Sequence, residues 1–118
     1  ASLYLLEKPF SATLIDISYL AEICNKMFED SMNSLIIKDV SLAKSVIERD
    51  EKVDSICDQI FREMLTYMME NPKLISRGIQ LILISRHLER VADHSTNIAE
   101  SSIFALEGKI IKHRFEEI

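Results

Sequence analysis

Residues that end helices are nearly missing from this chain. Two glycines and two prolines stand among 118 residues, about a quarter of ordinary usage. That scarcity excludes small sandwiches and barrels, which must turn often. Basic residues are also short. Fourteen Lys and Arg face nineteen Asp and Glu, for a net charge of −5. A binder of phosphate backbones needs a basic face, so direct binding to nucleic acid is excluded. No apolar run approaches the ~18–20 residues of a membrane helix, and Ala1 to Leu6 lacks the basic start of a signal peptide. Cys24 and Cys57 make no disulfide framework and read as reduced core thiols of an intracellular protein. The expectation is a cytoplasmic chain, at the membrane only through its partners.

What is there is enough for one packed domain. At 47% apolar and 28% charged residues, the chain is neither disordered nor membrane-spanning. A domain of this length buries roughly 65% of its unfolded surface. Ser11 after Pro9 reads as a helix cap, as does Asn71 before Pro72, and Asp39 can cap a helix in the Gly- and Pro-free stretch between. Gly108 reads as a helix-ending glycine. Three helices are predicted, at about 11–38, 40–70 and 72–107, with a polar tail over 108–118. The first carries Leu14, Ile17, Ala21, Cys24, Phe28, Met32 and Leu35 at three- and four-residue steps. The third carries Leu74, Gly78, Leu81, Ser85, Leu88, Ala92, Ser95, Ala99, Ser102 and Leu106, a seam of many small residues. Short connections make neighbours antiparallel. The predicted fold is all-α: a single up-down-up three-helix bundle.

The second helix holds an anomaly. Its seam runs Ala43, Val46, Asp50, Val53, Cys57, Ile60, Met64, Tyr67, so a carboxylate takes a core step. Asp54 follows one turn later on the same face. An unpaired buried carboxylate costs several kcal/mol or neutralises itself. Glu89 and Asp93 form a second pair four residues apart. Asp54 lies 17 residues before Asn71 and Glu89 18 after it; Asp50 lies 21 before and Asp93 22 after. An antiparallel hairpin therefore sets the two pairs at matching heights. Four oxygen donors in one groove suit Fe, Mn, Mg, Ca or Zn. The plainer reading is a solvated acidic face, with Arg49, Arg86 and Arg90 in surface ion pairs worth little.

Other candidates are weaker. His87 and His94 share one side of the third helix, and neither pairs with Glu89 at three or four residues, so the Glu-x-x-His signature of di-iron enzymes is absent. Both read as solvated or partly buried, and His113 carries no signal. No phosphate loop, nucleophile elbow or His-Glu-x-x-His occurs. Met64, Met68 and Met69 read as core and rim. Tyr4, Leu5 and Leu6 read as an apolar start packing on the bundle.

The stretch Ser85-Arg86-His87-Leu88-Glu89-Arg90-Val91-Ala92-Asp93-His94-Ser95-Thr96-Asn97-Ile98-Ala99-Glu100 resembles the signature helix of the PhoU family, regulators of phosphate uptake and phosphate signalling. Asp50-Glu51-Lys52-Val53-Asp54 resembles the family's other acidic motif. Leu65-Thr66-Tyr67-Met68 before Asn71-Pro72 is also similar, as is Leu106 to His113. The resemblance implies two tandem three-helix bundles in a full-length member, of which one is present. The chain is thus half of a two-repeat protein, a stand-alone domain or a transporter-attached domain. It further implies metal ligands at Asp50, Asp54, Glu89 and Asp93, with Asn97 and Glu100 as outer ligands. Iron or zinc is the expected metal, in a multinuclear cluster, with manganese or magnesium as alternatives.

The function so implied is that of a non-enzymatic, metal-binding regulatory adaptor with no catalytic residues. Its implied partners are the ATPase of a phosphate ABC transporter and a sensor histidine kinase, with homo-oligomers left open. Two alternatives stand beside it. One is a carboxylate-bridged di-iron metalloenzyme, against which the missing Glu-x-x-His argues. The other is a metal-free helical interaction module.

Overall fold

The computed structural model describes residues 10–117, with side chains to residue 108. Three helices follow one another: α1 Ser11–Ile36, α2 Val40–Glu70 and α3 Ile75–Glu117. A 3-10 turn at Pro72–Leu74 leads into α3. No strand occurs among the described residues. Thr13 Oγ1 donates to Glu63 at 3.3 Å and Arg49 donates to Asp30 at 2.8 Å. Those contacts pair early α1 with late α2 and late α1 with early α2, so the two run antiparallel. The Cys57 thiol donates to the Ser85 carbonyl at 3.7 Å across α2 and α3. The fold is the expected all-α three-helix bundle.

Local chemistry explains most boundaries. Asp39 is extended, and its side chain accepts the Leu42 N–H at 3.1 Å, which satisfies one orphan donor of α2. Lys38 just before it takes a left-handed φ of 60°. The Asp39 N–H then reaches the Ser34 carbonyl at 3.0 Å and closes α1. Asn71 accepts the Lys73 N–H at 3.1 Å, with Pro72 first in the turn. Ser11 differs from expectation. The helix begins at it, and Phe10 takes the cap position without a side-chain cap bond. Phe10 is buried edge-on to Tyr67, ring centroids 5.9 Å apart, so packing rather than a hydroxyl fixes this end. Tyr4, Leu5 and Leu6 lie outside the described residues.

Two further expectations need correction. α3 does not stop before Gly108; it runs on to Glu117, through what was expected to be a polar tail. Among the described residues no glycine has a positive φ, so Gly108 is a helix-interior residue. No proline follows it, and one interior glycine costs only about 1 kcal/mol against alanine. α1 also turns a different face inward. Leu14, Phe28, Met32 and Leu35 are exposed, while Thr13, Leu20, Met27, Ser31 and Ser34 are buried beside Ile17 and Cys24. α1 carries two apolar stripes, and the buried one is the stripe with small residues. The Ser31 and Ser34 hydroxyls donate to the Phe28 and Ser31 carbonyls, each at 2.7 Å, so their burial leaves no unmet donor. Ala92, Ser95, Ala99 and Ser102 of α3 are likewise small and buried. Along α2 and α3 the seams fall as expected: Ala43, Val46, Val53, Cys57, Ile60, Met64, Leu81, Ser85, Ala92 and Ala99 are all buried.

Candidate functional site

The acids named from the sequence all rise on the groove between α2 and α3. The antiparallel hairpin turning at Asn71 brings Asp54 and Glu89 into one cleft of about 480 Å³, which Cys57, Asp58, Phe61, Ile82, Ser85 and Arg86 also line. Asp50 and Asp93 lie one helical turn further along the same groove. Asp50 and Glu89 are half-buried, while Asp54 and Asp93 are exposed. The core step of Asp50 is therefore only partly buried. Its Oδ1 is nonetheless enclosed and has no hydrogen-bond partner, a state shared with Ser102 Oγ among the described residues.

The electrostatics bind the four acids into one set. Asp50 is pushed above the ordinary carboxylate range, first by burial and then by Asp54, Asp93 and Glu100. Glu89 is raised by burial, then by Asp54 and Asp93, with Arg86 opposing and Asp50 adding. Burial disfavours the charged form, and like charges disfavour it again. The same field reaches the core beneath. Burial, then Asp50, Asp93 and Glu89, lifts the Cys24 thiol to about 11. Burial, then Glu89, Cys24, Asp54 and Asp93, lifts Cys57 to about 12. Glu100 thus joins the set through Asp50, whereas Asn97 is simply exposed on α3.

The arginines form no ion pair with this row among the described residues, and only Arg86 acts on it, at Glu89. Arg49 turns to α1, pairing with Asp30 at 2.8 Å and donating to the Ser45 carbonyl at 3.1 Å. Arg86 lies over the Phe61 ring at 5.9 Å. Among the described residues no ion pair reaches Asp50, Asp54, Glu89 or Asp93. Arg90 lines a separate hollow of about 360 Å³ with Phe28, His87, Val91 and His94. Both histidines are exposed there, on the α1 side of α3, away from the acids.

The donor set suits a hard cation in kind: carboxylate oxygens carrying uncompensated charge, one of them enclosed and orphaned. The side chains as placed do not converge. Among the described residues no three of His, Cys, Asp and Glu are gathered closely enough to hold a metal ion. The four carboxylates share a field rather than a point. Sequence reasoning missed Asp58 and Phe61 as cleft residues, although their steps of four and seven from Asp54 were there to read. It also missed the Asp30–Arg49 pair, whose partners lie on different helices.

Comparison with known proteins gives a family. The model of the PhoU domain matches residues 17–102. The "Phosphate-specific transport system accessory protein PhoU homolog" of Aquifex aeolicus is 42% identical over 113 residues, 96% of this chain and 51% of that protein. Proteins of the same name from Caulobacter vibrioides and Pseudomonas aeruginosa are 38% and 35% identical, over 86% and 84% of this chain and 44% and 41% of theirs. The chain thus spans about half the length of the curated relatives it matches. Among the described residues no helix is long and apolar enough to cross a membrane.

Proposed function

The chain belongs to the PhoU family, and from that premise we propose that it is a non-catalytic regulatory adaptor of phosphate transport that works by protein contact and holds a divalent metal in its α2–α3 groove. The observation that carries the metal reading is the row of Asp50, Asp54, Glu89 and Asp93, drawn from two antiparallel helices and joined by no ion pair among the described residues, with Arg86 opposing only at Glu89. These four residues would hold the ion, with Glu100 and Asn97 behind them. A bound cation supplies the positive charge that the row lacks. Iron or zinc is the proposed identity, with manganese or magnesium behind them. The chain's own part is to hold carboxylates at matching heights on two helices and to keep Asp50 Oδ1 out of water. Its proposed partners are the transporter's ATP-hydrolysing subunit and a sensor kinase, reached in the cytoplasm at the membrane face.

Elemental analysis of protein purified without chelator tests this reading. It should return metal at or above one equivalent, and Asp50→Ala with Glu89→Ala should lose it. Metal added to stripped protein should raise Tm, because a ligand of the folded state alone stabilises it by mass action. No retained metal and an unchanged Tm at millimolar metal would sink the metal and leave the adaptor. One observation favours that second reading, a metal-free interaction module: the side chains as placed do not converge.

A further inference from the structure

α3 outruns the other two helices. Val40, the first residue of α2, lies 31 residues before Asn71, and Ser102 lies 31 after it. The bundle therefore ends level with Ser102, which is also the last buried residue of α3 among those whose side chains are described. α3 continues to Glu117, about 15 residues or roughly 22 Å further. No other described helix accompanies that stretch, and a lone helix of such length is marginal in water. Its inward seam is engaged only at the start: Ile103 packs on the core and Leu106 is half-buried. Phe104 is 81% exposed, more than any other large apolar side chain described. It opens a second stripe, Phe104, Gly108, Ile111 and Phe115, at steps of four, three and four. That is the spacing of a coiled-coil face. A lone exposed phenylalanine needs no explanation, but an apolar row does.

We propose that this stripe pairs antiparallel with the same stripe of a second copy of the chain, giving a two-fold dimer through the overhanging ends of α3. An overlap centred between Lys109 and Ile110 sets Phe104 level with Phe115 of the second copy and Gly108 level with Ile111, each twice. Every layer is then apolar, and Gly108 leaves room for the isoleucine. Charge selects the same register. Glu107 and Arg114 lie seven apart on one edge of the stripe. Antiparallel pairing sets that edge against itself reversed, so each Glu107 stands beside Arg114 of the second copy. Glu107 has no cation three or four residues away in its own helix. Arg114 has Glu117 three residues on, but five guanidinium donors serve two carboxylates. In this register Glu117 comes level with Ser102 of the second copy, so the two bundles meet end to end without overlapping. Parallel pairing would instead lay the two α3 helices together along the bundles. Arg90 and Arg86, exposed 14 and 18 residues before Phe104 on the same face, would then each oppose their own copies. The dimer rests on none of the proposed metal ligands and goes beyond the adaptor reading.

Sedimentation equilibrium of the whole chain, from about 10 μM to about 1 mM, tests this. The wild type should dimerise with Kd on the order of 0.1 mM. Phe104→Ala with Phe115→Ala should weaken association about tenfold or more. Glu107→Arg alone and Arg114→Glu alone should each weaken it about fivefold, and the two together should restore it. Only antiparallel pairing predicts that rescue, because parallel pairing sets Glu107 beside Lys112 and the exchange would leave two cations there. Stripped and metal-loaded protein should dimerise equally. A chain that stays monomeric throughout the range would overturn the dimer. Association unchanged in the double alanine variant would overturn the stripe, and a double charge exchange that stays weak would overturn the register. A dimer seen only with metal would place the interface at the acids, and the proposal fails.

Discussion

Asp50 offers a measurement that separates charge from burial. Two variants divide its contributions in chelator-stripped protein. Asp50→Asn removes the charge but leaves a polar atom where Oδ1 is enclosed without a partner. Asp50→Leu removes both. The carboxylates acting on Asp50 are Asp54, Asp93 and Glu100. At roughly 0.2–0.5 kcal/mol for each like-charge neighbour, their relief should stabilise Asp50→Asn by about 1 kcal/mol at pH 7. For a domain of this size that is a rise in Tm of about 4–6 °C. Removing an orphaned, enclosed acceptor adds a further ~1–3 kcal/mol to Asp50→Leu. The pH dependence has a definite sign. The folded state holds the Asp50 proton more tightly than the unfolded chain does. Its contribution is thus fully present below the ordinary value of about 3.9 and is lost as pH rises through the raised folded value. Wild type and Asp50→Asn should converge near pH 4 and separate by pH 7, read by urea titration at each pH. A gap of equal size at both pH values, or a wild type more stable than Asp50→Asn at pH 7, would refute the reasoning.

Three further outcomes are expected. Gly108→Ala should stabilise by up to about 1 kcal/mol, because Gly108 is helical and an added Cβ meets nothing within 4 Å; a helix-ending left-handed glycine would give the opposite sign in a thermal melt. Asp39→Ala should cost about 1 kcal/mol by orphaning the Leu42 N–H, and Asp39→Asn should recover most of it. Leu20→Ala should cost about 2–5 kcal/mol as a core cavity, whereas Phe28→Ala, on the exposed stripe of the same helix, should cost well under half as much in denaturant titration.

The groove was legible because a hairpin obeys arithmetic. Asn71 and Pro72 mark the turn, and counting outward from them sets Asp54 level with Glu89, as the shared cleft bears out. The seams of α2 and α3 were legible for a related reason: one unbroken three- and four-residue count runs through each onto buried or half-buried residues, even though α3 also carries exposed Ile75, Ile79, Leu83, Ile84 and Phe104 off it. α1 was not, because two such counts run through it. Counting by three and four from Leu14 reaches Phe28 and Met32 as readily as counting from Thr13 reaches Leu20 and Met27. Periodicity cannot choose between the stripes; packing within the bundle does, burying Thr13, Leu20 and Met27 and leaving Phe28 and Met32 exposed. Gly108 misled because a glycine near an expected end has two meanings, and only its φ separates them. Rotamers lay beyond the sequence altogether. Which way Arg49 swings depends on Asp30, a residue on another helix.

The two thiols give the bundle a clock of its own. With Cys24 near 11 and Cys57 near 12, fewer than about one in ten thousand is thiolate at neutral pH, and thiolate is the reacting form. Both are enclosed as well, so an alkylating reagent must wait for the helices to part. The rate at which label accumulates therefore counts partings. One channel sits on α1 and the other on α2, so unequal rates would tell which helix lifts away first and how often.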